Sequence, residues 1–137
     1  MNAIDTNVLV NRLDRSEPKK RAIARKLIYD LANARDTILL WRVAGELTRQ
    51  LSTWRDQGRL SHDQVVRLSR APRRVFPLIL PAEPVLDRAL QYATTYTLSH
   101  WDSMLVAACA EAGVTTLYTE DMGAPRRIDT VELVNPF

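Results

Sequence analysis

The sequence has very little of what a disulfide framework or a zinc site requires. Cys109 is its only cysteine, so no internal disulfide forms and folding needs no oxidising compartment. His62 and His100 are the only other soft metal ligands, which predicts that there is no structural zinc site. A small domain stapled by disulfides or by zinc is therefore excluded.

Long apolar runs and biased segments are also missing. No apolar run approaches the length of a membrane span, and the N-terminus enters predicted structure at once, without a signal-peptide pattern. We therefore expect a cytoplasmic protein with no membrane partner. Since there is no internal repeat, low-complexity tract or long linker, residues 1–137 are predicted to form a single domain.

The excess of one sign of charge is small. The chain has 19 basic and 16 acidic side chains, which gives a formal net charge of +3. A mildly basic balance permits an acidic partner such as nucleic acid but does not require one, because surface charge also keeps proteins soluble. Charge alone leaves the class of partner open.

Short apolar runs alternate with longer stretches of helical periodicity along the chain. The predicted strands are residues 2–5, 37–41, 75–80, 115–119 and 131–134. The predicted helices are residues 5–13, 18–35, 43–57, 61–70, 84–95 and 99–112. This order predicts an α/β fold, a three-layer α/β/α sandwich around a central, mostly parallel five-stranded sheet. Pro77 predicts that the third strand lies at an edge of the sheet.

Two aspartates follow predicted strands. Asp5 lies at the end of the first strand, and Asp121 lies just past the end of the fourth. Ligands of open α/β sheets bind beyond the carboxyl ends of the strands, so the two carboxylates meet there if these strands are neighbours. Each residue also has a simpler explanation, because Asp5 can cap a helix and Asp121 can begin a turn.

Asp102 is the most informative of the acidic residues. It projects onto the same helical stripe as Leu105, Val106 and Cys109, where a charged side chain needs a partner or a cation. The alternative is a capping box in which Asp102 reaches back to the backbone amide of Ser99. The two roles are compatible, because both belong to the start of a helix.

Glu46 borders an apolar stripe that includes Leu47 and Leu51. Alone, it is explained by a surface ion pair with Arg42 or Arg49, which lie within helical reach on either side. Glu46 becomes a candidate functional residue only when it is considered together with Asp5, Asp102 and Asp121.

Four carboxylates in one crevice repel one another at neutral pH. Hard divalent cations such as Mg²⁺ or Mn²⁺ relieve that repulsion and prefer oxygen ligands. Sites of this kind typically serve phosphoryl transfer, where one ion lowers the pKa of a water and another stabilises the leaving oxygen. Asp5, Glu46, Asp102 and Asp121 are therefore a candidate set of metal ligands.

Four short blocks of the chain resemble the acidic blocks of PIN domains. They are Ile4–Asn7, Gly45–Leu47, Ser99–Asp102 with the following Ala107 and Ala108, and Thr119–Asp121. Length and element order also match, so the resemblance covers nearly the whole chain. It implies that the four acidic residues are catalytic metal ligands. It further implies that Thr6, Asn7 and Thr119 are nearby polar groups that orient ligands or water.

PIN proteins of this size resemble the VapC-type toxins of toxin–antitoxin pairs. The resemblance implies an Mg²⁺- or Mn²⁺-dependent endoribonuclease that hydrolyses phosphodiester bonds of RNA, often transfer or ribosomal RNA. It also implies a homodimer and a small antitoxin protein that inserts a peptide near the acidic site. The segment around Glu46, with Trp41 and Arg42 before it, departs from the small-residue-rich version that is commonest in these toxins.

Some basic and aromatic residues are candidates for contact with RNA. Arg126 and Arg127 lie a few residues past Asp121, where they could contact phosphate groups. Trp101, beside Asp102, is a candidate for stacking on a base. The basic cluster of residues 19–26 is instead predicted to be a solvated helix face.

Two other functions compete with the nuclease. Phosphatases of the haloacid-dehalogenase type also place an aspartate after the first strand, but they need a second aspartate two positions on, where this chain has Asn7. The other alternative is a non-catalytic PIN-like domain that binds RNA or assists RNA processing. The presence of all four acidic residues argues against lost catalysis without proving activity.

Overall fold

The computed structural model describes all 137 residues. Its strands are β1 (Asn2–Ile4), β2 (Thr37–Leu40), β3 (Leu78–Ile79), β4 (Thr116–Tyr118), β5 (Arg126–Ile128) and β6 (Val131–Val134). Its helices are α1 (Thr6–Asn11), α2 (Pro18–Ala34), α3 (Trp41–Asp56), α4 (His62–Val75), α5 (Pro84–Thr95) and α6 (His100–Glu111). None of these helices combines the length and the apolar character needed to cross a membrane.

The sheet has the order β3-β2-β1-β4-β6-β5. All neighbouring strands are parallel except β5 and β6, so the predicted mostly parallel α/β sheet is confirmed. β1 and β4 are direct neighbours, with Ile4 opposite Tyr118. Their carboxyl ends, and the acidic residues that follow them, therefore lie side by side.

The predicted strand count of five was wrong, because the sheet has six strands. The missed strand, β5, contains two arginines and has no apolar run of its own. It is extended because it pairs antiparallel with β6, where Arg126 lies opposite Leu133 and Ile128 opposite Val131. A hairpin partner, which the local sequence does not reveal, creates this strand.

The end of α4 and the start of β3 differ from the prediction. α4 was predicted to end before Pro72 but continues to Val75, with Pro72 inside it. Pro72 removes one backbone donor from the helix, and the helix continues past it. The carbonyl of Pro72 still accepts a 2.8 Å hydrogen bond from the amide of Phe76, a buried residue that fixes this end. The third strand is consequently only two residues long, at the edge that Pro77 predicted.

The core is one cluster of 27 buried apolar residues that spans the sheet and the helices around it. α3 shows how the sequence builds it. Val43, Leu47, Leu51 and Trp54 recur at helical spacing and are all buried. Because this stripe fixes the rotation of α3 about its axis, it also fixes the direction in which Arg42 and Glu46 project at the start of the helix.

Candidate metal centre

Asp5 occupies the junction of β1 and α1 and is only 6% exposed. It caps α1, because its Oδ1 accepts a 2.7 Å hydrogen bond from the amide of Thr6. Its Oδ2 accepts a 2.8 Å hydrogen bond from the hydroxyl of Thr119, which follows β4. The predicted cap is therefore confirmed, and the same carboxylate also faces the end of the neighbouring strand.

Asn7 joins the ends of β1 and β4 through its side-chain amide. Its Nδ2 lies 3.2 Å from Asp5 Oδ2, 3.2 Å from Thr119 Oγ1 and 3.0 Å from Asp121 Oδ2. Its Oδ1 accepts a 3.4 Å hydrogen bond from the amide of Glu120. One neutral amide thus lies between two carboxylates that would otherwise repel each other.

Glu46 reaches the same place from α3. Its Oε2 accepts a 2.9 Å hydrogen bond from the hydroxyl of Thr6. Its Oε1 forms an ion pair with Arg42 at 2.7 Å, so the ion pair predicted as an alternative role is present. Glu46 therefore makes this ion pair and also contacts the residue that follows Asp5.

Burial raises the pKa of Asp5 above the ordinary value of 3.8. Hydrogen bonds from Thr119 and from the amide of Thr6 oppose this rise, and the carboxylates of Asp121 and Glu46 add to it. The three carboxylates are therefore close enough to repel one another electrostatically. This is the coupling that the sequence predicted for acidic residues sharing a crevice.

Asp102 lies outside this hydrogen-bonded group. Its amide donates to the Ser99 hydroxyl at 3.2 Å, but its carboxylate accepts no hydrogen bond and pairs with no cation, so the predicted capping box is only half formed. The start of α6 is nevertheless next to the start of α3, because the Arg42 guanidinium lies 5.7 Å from the centre of the Trp101 ring. The structure thus brings Asp5, Glu46 and Asp121 together. Asp102 is connected to them less directly, because it follows Trp101, whose ring lies beside the Arg42 that pairs with Glu46.

The chemistry of the donor set suits a hard divalent cation, because every candidate ligand is a carboxylate oxygen. The side chains are not arranged as a closed cage, since no three acidic, histidine or cysteine residues converge closely enough to hold an ion. The amide of Asn7, the hydroxyl of Thr6 and the guanidinium of Arg42 contact the carboxylate oxygens instead.

One basic residue near the site was missed. Lys20, at the start of α2, forms an ion pair of 2.6 Å with Glu120, which also accepts a hydrogen bond from the buried Asn11. The hydrogen bond to Glu120 raises the pKa of Lys20, with smaller contributions from other acidic residues that include Asp121. The prediction of a solvated helix face did not include this ion pair, and the Lys20 side chain is 38% exposed. The sequence held no signal for this pair, because it depends on α2 beginning beside the loop that follows β4.

The three candidate RNA contacts, Arg126, Arg127 and Trp101, make no hydrogen bond with the carboxylates of the site. Arg126 donates a 2.8 Å hydrogen bond to the carbonyl of Tyr96, and Arg127 donates one of 3.2 Å to the carbonyl of Asp129. Neither arginine contacts a carboxylate of the site. Trp101 is 60% exposed next to Arg42.

The family model for the PIN domain matches residues 3–129. Among solved structures, one described as FitAcB from Neisseria gonorrhoeae has a TM-score of 0.72 at 21% identity, covering 99% of this chain and 98% of that chain. A toxin–antitoxin complex from Klebsiella pneumoniae has a TM-score of 0.69 at 16% identity, covering 100% of this chain and 98% of that chain.

The toxin VapC20 of Mycobacterium tuberculosis, described as cleaving the sarcin–ricin loop, has a TM-score of 0.66 at 14% identity, with coverages of 90% and 92%. At such identities these likenesses concern the fold. No curated protein sequence matches the chain. Because the family model spans almost its full length, this chain belongs to the PIN domain family.

Proposed function

We propose that residues 1–137 act as one domain, a divalent-metal-dependent endoribonuclease of the cytoplasm that is the toxin of a type II toxin–antitoxin pair. The observation that carries this proposal is the hydrogen-bonded group at the ends of β1 and β4. There Asn7 contacts both Asp5 and Asp121 in a chain of the PIN family. The solved toxin structures that share this fold support the same proposal.

In this proposal Asp5, Glu46, Asp102 and Asp121 hold Mg²⁺ or Mn²⁺. Such ions, when bound, lower the pKa of a water and stabilise the leaving oxygen of a phosphodiester. The polar neighbours keep the ligands in place: the amide of Thr6 and the hydroxyl of Thr119 fix the two oxygens of Asp5. Hydrolysis is expected to leave 5′-phosphate and 3′-hydroxyl ends.

Arg126, Arg127 and Trp101 are proposed contacts with the RNA. Trp101 is the strongest of the three, because its exposed ring lies beside the residue that pairs with Glu46. Base stacking on an exposed aromatic ring tolerates many sequences, so it suits an unpaired stretch of RNA. Arg126 is the weakest, since its guanidinium already bonds to the Tyr96 carbonyl.

The proposed partners are a second copy of the chain and a small antitoxin protein. Leu86 and Leu90 lie one turn apart on α5, and both are more than half exposed. Paired exposed leucines are typical of surfaces that another protein covers, which supports a homodimer. The antitoxin rests on the fold shared with toxin–antitoxin complexes from Klebsiella pneumoniae and nontypeable Haemophilus influenzae.

The experiment is cleavage of total cellular RNA by the purified protein, with Mg²⁺ or Mn²⁺ and with a chelator. Asp102→Asn is the control, because the Asp102 carboxylate makes no contact on which the fold depends. Discrete fragments that require both the metal and Asp102 are expected. Binding of RNA without cleavage at any metal concentration would instead favour the non-catalytic RNA-binding alternative.

A further inference from the structure

Arg42 is a cation that the fold itself places beside one carboxylate of the site, that of Glu46. Its Nη2 lies 2.7 Å from Glu46 Oε1, and the two side chains are only 23% and 35% exposed. Its guanidinium also lies 5.7 Å from the centre of the Trp101 ring. The other oxygen of Glu46 accepts from Thr6, which directly follows Asp5. Arg42 therefore links the candidate metal centre to the exposed ring beside it.

The position of Arg42 is a poor one for stabilising α3. It is the second residue of that helix, where the helix dipole disfavours a positive charge. An arginine four residues before a glutamate is also the less favourable order for an ion pair within a helix. Helix stability alone therefore does not account for the pair. The tertiary surroundings do, because the partly buried guanidinium lies between the Glu46 carboxylate, whose charge it neutralises, and the Trp101 ring.

Arg49 provides the comparison within the same helix. It lies three residues after Glu46, so sequence spacing allows it to form the same ion pair. The structure pairs Glu46 with Arg42 only, and Arg49 is exposed without an ion pair. The difference arises because the first turn of α3 follows the carboxyl end of β2, the end of the sheet where Asp5 lies.

We propose that Arg42 is a positioning residue that neutralises Glu46 in the ion-free site and competes with the divalent cation for this carboxylate. On binding of the cation, Glu46 Oε1 exchanges the guanidinium for the ion, and Arg42 stays against Trp101. Arg42 thereby raises the concentration of ion at which Glu46 becomes a ligand. This inference rests on the proposed function in one respect only, namely that the carboxylates bind a divalent cation.

The test is calorimetric titration of the full-length protein with Mn²⁺ in the absence of RNA. Arg42→Gln is expected to lower the dissociation constant for Mn²⁺ about fivefold, the ratio expected when a partly exposed ion pair stops competing. Arg49→Gln, which removes the same charge from the same helix, is expected to change it less than about twofold. Arg42→Lys keeps the positive charge, so its dissociation constant for Mn²⁺ should lie between those of Arg42→Gln and the wild type.

A second measurement tests the ion pair itself without any metal. Thermal unfolding in chelator of Arg42→Gln, Glu46→Gln and the double variant forms a double-mutant cycle, in which a non-zero coupling is expected. Absence of coupling would overturn the proposal, as would equal or weaker Mn²⁺ binding by Arg42→Gln compared with Arg49→Gln.

The outcomes separate this proposal from the proposed function. A fivefold change in Mn²⁺ binding without any RNA cleavage would remove the nuclease and leave the role of Arg42 intact. Metal-dependent cleavage of RNA, together with identical Mn²⁺ binding by Arg42→Gln and Arg49→Gln, would support the nuclease and overturn the role of Arg42. No Mn²⁺ binding by the wild type or by Arg42→Gln would overturn both.

Discussion

Two polar clusters of this protein differ in whether their carboxylates are paired with cations. At the turn between β5 and β6, Arg88 pairs with Glu111 at 2.6 Å and with Asp129 at 3.3 Å, and the Tyr92 hydroxyl donates to Asp129 at 2.6 Å. Each charge there has a partner of opposite sign or a hydroxyl. At the ends of β1 and β4, Asp5 and Asp121 instead have no cation as an ion-pair partner, and burial raises the pKa of Asp5.

The difference separates a cluster that secures the fold from one that is poised for a ligand. The Arg88 cluster ties α5 and α6 to a turn of the sheet, and Arg88 pairs with both of its carboxylates. The carboxylate group keeps an excess of negative charge that a cation would neutralise, at some cost to the ion-free protein. Substitutions in the first cluster should therefore reduce stability, and those in the second should reduce activity.

The largest expected effect is that of Asp5→Asn. It should lower the rate of RNA cleavage by about 1,000-fold or more, because a candidate metal ligand is lost. The fold should persist, since asparagine caps a helix as well as aspartate does. Cleavage rates and thermal unfolding of the same preparation check both statements. A fully active Asp5→Asn protein would contradict the assignment of the site.

Trp101→Ala is expected to have the next largest effect. If the exposed ring stacks on a base, its removal should weaken binding of single-stranded RNA about tenfold, while the melting temperature changes little. Fluorescence anisotropy with a labelled oligonucleotide in chelator measures the affinity without cleavage. Tyr29→Ala removes an even more exposed aromatic ring, on α2, and serves as the control. Equal losses from the two variants would show that Trp101 has no special role.

Tyr92→Phe addresses the other cluster. It removes the hydroxyl that donates to Asp129 and should lower the free energy of unfolding by about 1 kcal/mol, because this ring is buried. The Arg88–Asp129 pair remains, so the fold is retained. Denaturant unfolding gives the first quantity, and RNA cleavage should stay at the wild-type rate. A loss of cleavage without a loss of stability would reverse the proposed contrast between the clusters.

The smallest expected effect is a dependence of stability on pH. Because the pKa of Asp5 is raised in the folded protein, the stability it contributes is fully present below about pH 3.8 and is lost as the pH rises through the folded-state pKa. In chelator, Asp5→Asn should therefore gain stability relative to the wild type as the pH rises above about 3.8. Unfolding curves across this range measure the gain, and a constant difference would mean that the pKa of Asp5 is not raised.

Much of this architecture follows from local sequence. The apolar runs at Ile4 and Leu117 and the helical stripe of α3 predict their elements correctly. The sequence also predicts that Asp5 and Asp121 meet if the first and fourth strands are neighbours, and the structure shows that they are. These features rest on periodicity and on the rule that ligands bind at the carboxyl ends of parallel strands.

The rest depends on tertiary neighbours that local sequence does not contain. β5 exists because β6 offers backbone partners to an arginine-rich segment. Lys20 pairs with Glu120 because α2 begins beside a loop that is 100 residues away in the chain. The choice between Arg42 and Arg49 as the partner of Glu46 depends on which end of α3 lies near the site, and that is its first turn, which follows the carboxyl end of β2.

The edges of the sheet determine how the chain can associate. β3 contains two residues and β5 contains three, of which two are arginines, so neither edge offers a long row of exposed backbone donors and acceptors. Short and charged edges prevent a sheet from templating the addition of further strands, which is a common start of aggregation. This chain is thereby protected against open-ended polymerisation through its backbone. The proposed homodimer would therefore form through side-chain surfaces such as that of Leu86 and Leu90.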